Sequence, residues 1–131
     1  MKDPVLVKEW LLYAKRDYDS ALFLFENMHP KPIEIVCYLC QQSAEKSIKA
    51  FLVAKGIEPP KTHDIGKLCE LCAKYDKSFL EHYGICEKLT YYASNTRYPN
   101  KIELLEYHSK SALSWANTLY DFTNKQIDNL S

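Results

Sequence analysis

The chain has 131 residues, 47% apolar and 26% charged, with 17 basic and 17 acidic side chains. These are globular values, with enough chain to bury a core, and they exclude a disordered tail, a collagen-like rod or a low-complexity linker. Zero net charge excludes a general nucleic-acid-coating surface, which needs a basic excess to release phosphate counterions, though it leaves room for a local basic patch.

Three glycines stand where roughly nine would be usual at about 7% of residues. That is too few for the turns of a β-sandwich or a doubly wound sheet, so the chain reads as helical throughout. We expect one helical domain over residues 1–131. Asp3-Pro4 starts the first helix: Asp can accept free N–H groups at the N-cap, and Pro suits the first helical position. Val7, Trp10, Leu11, Ala14, Tyr18, Ala21, Leu22 and Phe25 follow at helical spacing, and Asn27 to Pro32 ends the helix. A second helix runs from about Ile33 to Lys55, with Val36, Cys40, Ala44, Ile48, Phe51 and Leu52 facing inward. Its early part, Ile35 to Cys40, is apolar nearly all round, which predicts burial between several neighbours or against a dimer partner. Gly56 suits the position after the helix end, and Pro59-Pro60 forbids continuation.

A third, shorter helix starts near Asp64, with Ile65, Leu68, Cys69 and Cys72 inward. Ser78 and Glu81 have capping-box spacing and predict the start of a fourth helix that fades at Ser94–Thr96. Asn100 and Glu103 resemble a second such box, opening a fifth helix to about Gln126 whose inner stripe is Ile102, Leu105, Ser109, Ala112, Ala116, Leu119 and Phe122. The expected fold is all-α: an antiparallel up-and-down bundle of about five helices, three long and two shorter.

No run of residues approaches the ~18–20 apolar positions of a membrane span. Val5–Val7 is too short for a signal-peptide core. The odd count of five cysteines fits a reducing compartment better than a disulfide framework, so a cytoplasmic location is expected. Cys37-x-x-Cys40 and Cys69-x-x-Cys72 have zinc-ligand spacing, but both lie in apolar helical stripes where i and i+3 merely share a face. No metal and no cofactor is expected. A Gly-rich phosphate loop, G-x-S-x-G and H-E-x-x-H are all absent from the sequence.

The polar stripe Gln42, Glu45, Lys46 and Lys49 is by default a solvated helix face, with Glu45 and Lys49 an i,i+4 pair of favoured polarity. Its company sets it apart. Arg97 offers a guanidinium fork and Tyr98 an aromatic face, a combination suited to a phosphate and a base if the fold brings them together. His63, at the start of the third helix, is either an acid–base group or phosphate contact, or a residue that anchors its loop.

The pattern resembles the HEPN domain family (higher eukaryotes and prokaryotes nucleotide-binding). The matching pieces are Trp10-x3-Ala14-x2-Asp17-x3-Ala21, the run Cys40 to Leu52 containing Gln41-Gln42-Ser43-Ala44-Glu45-Lys46, then Gly56, His63-Asp64-Ile65 and Arg97-Tyr98-Pro99. The chain is also similar to the helical C-terminal domain of kanamycin nucleotidyltransferase. The resemblance implies an antiparallel helical bundle that forms a homodimer. It further implies a minimal nucleotidyltransferase as protein partner, in a module like a toxin–antitoxin pair, and a nucleotide or RNA ligand.

Many members are metal-independent ribonucleases with Arg, four to six residues, then His near the start of the last helix. This chain departs from that motif. Its arginines are Arg16 and Arg97, and ten residues separate Arg97 from His108. In a helix starting at Asn100, His108 would lie about 12 Å along the axis from the start. The first reading is therefore a nucleotide- or partner-binding dimer with little or no catalysis. Lys46, Lys49 and Arg97 face phosphates, Tyr98 stacks on a base, Gln42 and Glu45 set orientation, and His63 is a further contact. The second reading is a ribonuclease using Arg97 with His108 or His63. The third is a dimerisation scaffold without a ligand.

Overall fold

The computed structural model describes residues 1–95 and 103–130. Its helices are α1 (Pro4–Asn27), α2 (Ile33–Ala54), α3 (Ile65–Ala73), α4 (Tyr83–Asn95) and α5 (Glu106–Asp128), with a short 3₁₀ segment over Lys77–His82. There is no strand among the described residues. The fold is the expected all-helical bundle with three long helices.

α2 lies at the centre, packed between α1 and α5, while α3 and α4 close its remaining side. Small residues let α1 and α2 approach closely. Ala14, Ala21 and Ala44 are fully buried, and the Ser43 hydroxyl donates to the Ala14 carbonyl at 2.8 Å. At the far end of the bundle, Phe51, Phe79 and Phe122 form a tilted and edge-on ring stack with centroids 4.6 and 5.0 Å apart. Such offset geometries are the favoured ones for aromatic rings.

Several helix ends follow the local chemistry of the sequence. The Asp3 carboxylate accepts from the Leu6 N–H, and Pro4 opens α1. α2 ends in a Schellman motif: the Gly56 N–H bonds the Val53 carbonyl and the Ile57 N–H bonds the Leu52 carbonyl, both at 2.9 Å. Gly56 has φ +80°, and a Cβ there would stand 2.7 Å from the Lys2 side chain. Asp64 caps α3 by accepting from the Lys67 N–H at 3.1 Å.

Two helix starts differ from expectation. Ser78 does not cap the fourth helix. Its backbone N–H and its hydroxyl both donate to Asp76, an ionised acceptor that outcompetes a serine hydroxyl as a cap. A 3₁₀ segment follows, which tucks Phe79 into the core, and α4 begins only at Tyr83. α5 begins at Glu106 rather than Asn100, with Glu103–Leu105 non-helical and Leu105 about half exposed. Asn100 and Ile102, on which the earlier start rests, lie outside the described residues. Of the predicted inner stripe, Ser109, Ala112, Ala116 and Leu119 are buried.

The apolar start of α2 is divided. Val36, Cys37 and Cys40 are buried within the chain, whereas Ile35 remains 45% exposed. No helix among the described residues is long and apolar enough to cross a membrane.

Candidate functional site

Gln41, Glu45 and Lys49 occupy successive turns of α2, so their side chains share one stripe. All three are buried, with 2%, 4% and 7% of their surface exposed. Sequence periodicity assigns Glu45 and Lys49 to a solvated face. The structure corrects this, because α1 and the loop before α3 cover that face.

Glu45 is the hub. Its Oε2 accepts from Lys49 Nζ at 3.0 Å, and its Oε1 accepts from Gln41 Nε2 at 3.3 Å and bonds His63 Nδ1 at 2.9 Å. Burying an isolated carboxylate costs several kcal/mol in proteins, so these donors are what permits the charge to be there. The Gln41 amide also donates to the His63 carbonyl at 3.1 Å, which ties α2 to the loop that leads into α3. Gln42 stands one step away and donates to Gln41 Oε1 at 3.1 Å.

His63 is the exposed member, with three-quarters of its side-chain surface open to solvent. A carboxylate can only accept, so the Nδ1 atom facing Glu45 carries a proton, and Nε2 is left toward water. Lys46 belongs to a separate pair. It points across to α1 and bonds Asp17 at 2.6 Å, half-buried on both sides.

Next to this network lies a groove of about 340 Å³ between the start of α1 and the 58–61 loop. Leu6, Trp10, Lys49, Val53, Pro59 and Pro60 are among its walls. Lys49 Nζ lies 5.9 Å from the centre of the Trp10 ring, within cation–π range. Trp10 also borders a smaller depression of about 220 Å³, with Leu6, Glu9 and Tyr13.

His108 stands elsewhere. It is the third residue of α5 rather than two turns in. Its Nδ1 accepts from the Leu105 N–H at 2.8 Å, and its own N–H bonds the Leu105 carbonyl at 3.0 Å. The imidazole thus caps the helix, between Tyr107 and Tyr92 with ring centroids at 4.0 and 5.2 Å. Neither His63 nor His108 touches the other. The predicted contributions of Arg97 and Tyr98 lie outside the described residues.

The five cysteines are all buried. Cys37 and Cys40 sit on α2. On α3, Cys72 faces the Ile48 carbonyl, while Cys69 donates to the Phe79 carbonyl and pairs with Cys86 of α4. Burial pushes the Cys37 thiol up to about 12 and raises those of Cys40 and Cys72 as well. The hydrogen bond between Cys69 and Cys86 lowers the first thiol and raises the second. Among the described residues no three His, Cys, Asp or Glu side chains converge in a way that could hold a metal ion.

Sequence reasoning names Glu45, Lys49 and His63, and the structure brings these three together. It misses Gln41 as part of the network and Trp10 as a groove wall. The i, i+4, i+8 spacing of Gln41, Glu45 and Lys49 is the available signal.

Comparison with known proteins agrees with this architecture. An archaeal HEPN homologue, ST0689, superposes with a TM-score of 0.70 at 24% identity, covering 92% of this chain and 97% of its own. The protein TT1696 from Thermus thermophilus superposes with a TM-score of 0.72 at 21% identity, covering 91% and 96%. No curated protein matches the chain. The HEPN domain profile matches residues 7–126, which is nearly the whole sequence, and the chain belongs to the HEPN domain family.

Proposed function

We propose that this HEPN protein binds a nucleotide or RNA end and works as a homodimer beside a nucleotidyltransferase partner. The observation that carries the reading is the buried Glu45–Lys49 pair, with the exposed His63 bonded to Glu45 and with Lys49 forming part of a groove wall. A scaffold gains little from such an arrangement, since apolar residues of similar volume are often as stabilising as a buried ion pair. A recognition site has a use for fixed polar groups beside an aromatic wall. The exposed Ile35, on a segment apolar nearly all round, supports a partner surface at the start of α2.

The site differs in detail from the one expected from sequence. Lys46 is neutralised by Asp17, so it contributes less to an anionic ligand than Lys61 and His63, whose side chains are more open to solvent. Arg97 and Tyr98 remain part of the proposal as phosphate fork and stacking ring.

The test is a titration of nucleotides and a short RNA followed by NMR at low and high salt. The expected result is weak binding that moves His63 and Lys61 resonances and fades with salt, since phosphate contacts are screened. Arg97→Ala should weaken it more than Lys46→Ala. Unchanged spectra with every nucleotide and RNA would favour the scaffold. Strong RNA cleavage in EDTA, abolished by Arg97→Ala and by His108→Ala separately, would move the protein to the ribonuclease class. The position of His108 in the first turn of the last helix is the observation in favour of that second reading.

A further inference from the structure

We infer that the groove beside Trp10 is a pocket for a neutral heteroaromatic ring of the nucleobase class, with Trp10 as its stacking wall and Lys49 as its polar handle. The inference rests on the nucleotide reading above and specifies which part of the ligand the groove takes.

The first observation is the hydrogen-bond balance of Lys49. An ammonium has three donors. Among the described residues Glu45 is its one hydrogen-bond acceptor. The residue is more than nine-tenths buried, so bulk water does not simply serve the rest, and it forms part of the groove wall. Two N–H groups thus have no acceptor among the described residues, and the residue that carries them lines the groove. Such desolvated donors are the polar groups that fix a ligand's orientation in a mostly apolar pocket.

Charge decides what kind of acceptor. The groove residues carry Lys49 and Lys61 against Glu58, and Glu45 lies directly behind Lys49. Two positive and two negative groups cancel. A fully charged phosphate gains little there, whereas a ring carbonyl or an unprotonated ring nitrogen accepts from Lys49 without bringing a charge to bury.

Shape and surface decide the body of the ligand. The indole of Trp10 forms one wall and Pro59 and Pro60 another, with Leu6 and Val53 completing the apolar lining. A volume of about 340 Å³ takes a one- or two-ring heterocycle and leaves no room for a folded peptide segment. Every nucleobase has a π-face for the indole and carbonyl or ring-nitrogen acceptors for the ammonium. The sugar and phosphate would then lie outside the groove, whose lining includes the exposed Lys61.

The experiment uses tryptophan emission. Trp115 is replaced by Phe, so that Trp10 is the one remaining tryptophan of the full-length protein. Adenosine, guanosine and uridine, their 5′-monophosphates and orthophosphate are titrated separately. Nucleosides and monophosphates should quench Trp10, and orthophosphate should neither quench nor compete. Lys49→Met should weaken nucleoside binding about tenfold or more, in line with loss of the polar handle. Because that variant strips Glu45 of its partner, a second one keeps the test independent of folding: Leu6→Tyr narrows the groove from α1 and leaves the ion pair intact. It should weaken binding to a similar degree with an unchanged circular dichroism spectrum.

The inference is overturned if no nucleoside quenches Trp10, if Leu6→Tyr binds as the parent does, or if orthophosphate displaces the nucleoside. Nucleotide binding that moves His63 in NMR but leaves Trp10 silent would overturn the inference while the nucleotide reading stands. Nucleoside binding with no added gain from the 5′-phosphate would support the ring pocket and count against a phosphate contact.

Discussion

Lys49→Met should be among the most destabilising single changes on the polar side of α2. The residue is buried and its ammonium is 3.0 Å from the buried Glu45 carboxylate. Removing it leaves a charge in a low-dielectric setting, and breaking a buried pair in this way costs about 3–5 kcal/mol. Gln41 Nε2 and His63 Nδ1 still bond Glu45, which holds the cost toward the lower end, about 3 kcal/mol. For a chain of this length that corresponds to a fall of roughly 12 °C in Tm, at about 4 °C per kcal/mol. Urea unfolding followed by circular dichroism at pH 7 measures it, with the slope against urea unchanged. The double variant Lys49→Met/Glu45→Leu should recover most of the loss, to within about 1 kcal/mol of the parent, because an apolar pair of similar volume removes the stranded charge. High salt should not close the gap, as a buried pair is poorly screened. A single-variant cost below about 1 kcal/mol, or a double variant worse than the single, would refute the claim that this pair is desolvated and mutually dependent.

Ala21→Leu should cost about 2 kcal/mol by urea melt, since it forces three extra carbons into a fully buried position of α1; a neutral result would mean that α1 is not close-packed there. Asp76 titrates below its usual 3.8: burial, the largest single influence, acts upward, but hydrogen bonds from Ser78 and Gln126 outweigh it. A carboxyl depressed in the folded state stabilises above its unfolded pKa, and this contribution disappears as pH falls through the folded value. Gln126→Leu should therefore move the Asp76 carboxyl resonance titration upward and reduce the loss of stability below about pH 4; an unmoved titration would dismiss the Gln126 bond. A disulfide-exchange reagent should label no thiol of the native protein on the timescale of free cysteine and all five after urea, because each is buried and four are held in the protonated form; fast native labelling of Cys69 or Cys72 would show that the bundle opens at α3.

The bundle is legible because its apolar positions recur at helical spacing over long stretches, and because Asp3-Pro4, Gly56 and Asp64 use cap chemistry that leaves few alternatives. The misplaced starts have a common cause. At Ser78 and at Asn100 a capping-box spacing rests on two residues and takes no account of what else competes nearby. Asp76, two residues before Ser78, is a charged acceptor within reach of the same backbone N–H and also of Gln126, which is 50 positions away in sequence. A long-range bond of that kind has no signature in a local window. At the other site the helix starts six residues later, where His108 folds back onto the Leu105 N–H. Histidine is not among the usual capping residues, so composition gives no hint of it.

The polar stripe on α2 shows a different limit. Periodicity identifies which residues share a face, and Gln41, Glu45 and Lys49 do share one. Whether that face meets water depends on what the rest of the chain lays over it. Here the cover is a loop rich in proline together with Trp10, and neither carries a periodic signal pointing to α2. The consequence reaches the chemistry. On a solvated face the Glu45–Lys49 pair would be worth a few tenths of a kcal/mol, would be screened by salt, and would leave Lys49 free to meet a phosphate. Under its cover the same pair becomes a fixed polar element. Lys49 is then a fixed donor in a groove wall rather than a mobile counter-charge, and His63 is held by its Nδ1 with Nε2 outward. His108 is constrained in the opposite sense. Its Nδ1 accepts from the backbone, so Nε2 carries the proton of the neutral ring and can only donate. A base that takes a proton from a ligand hydroxyl needs a free ring nitrogen, which His63 presents and His108 presents only by giving up its cap. His63 thus presents a ring nitrogen able to accept a proton, whereas His108 holds a helix end and offers an Nε2–H donor.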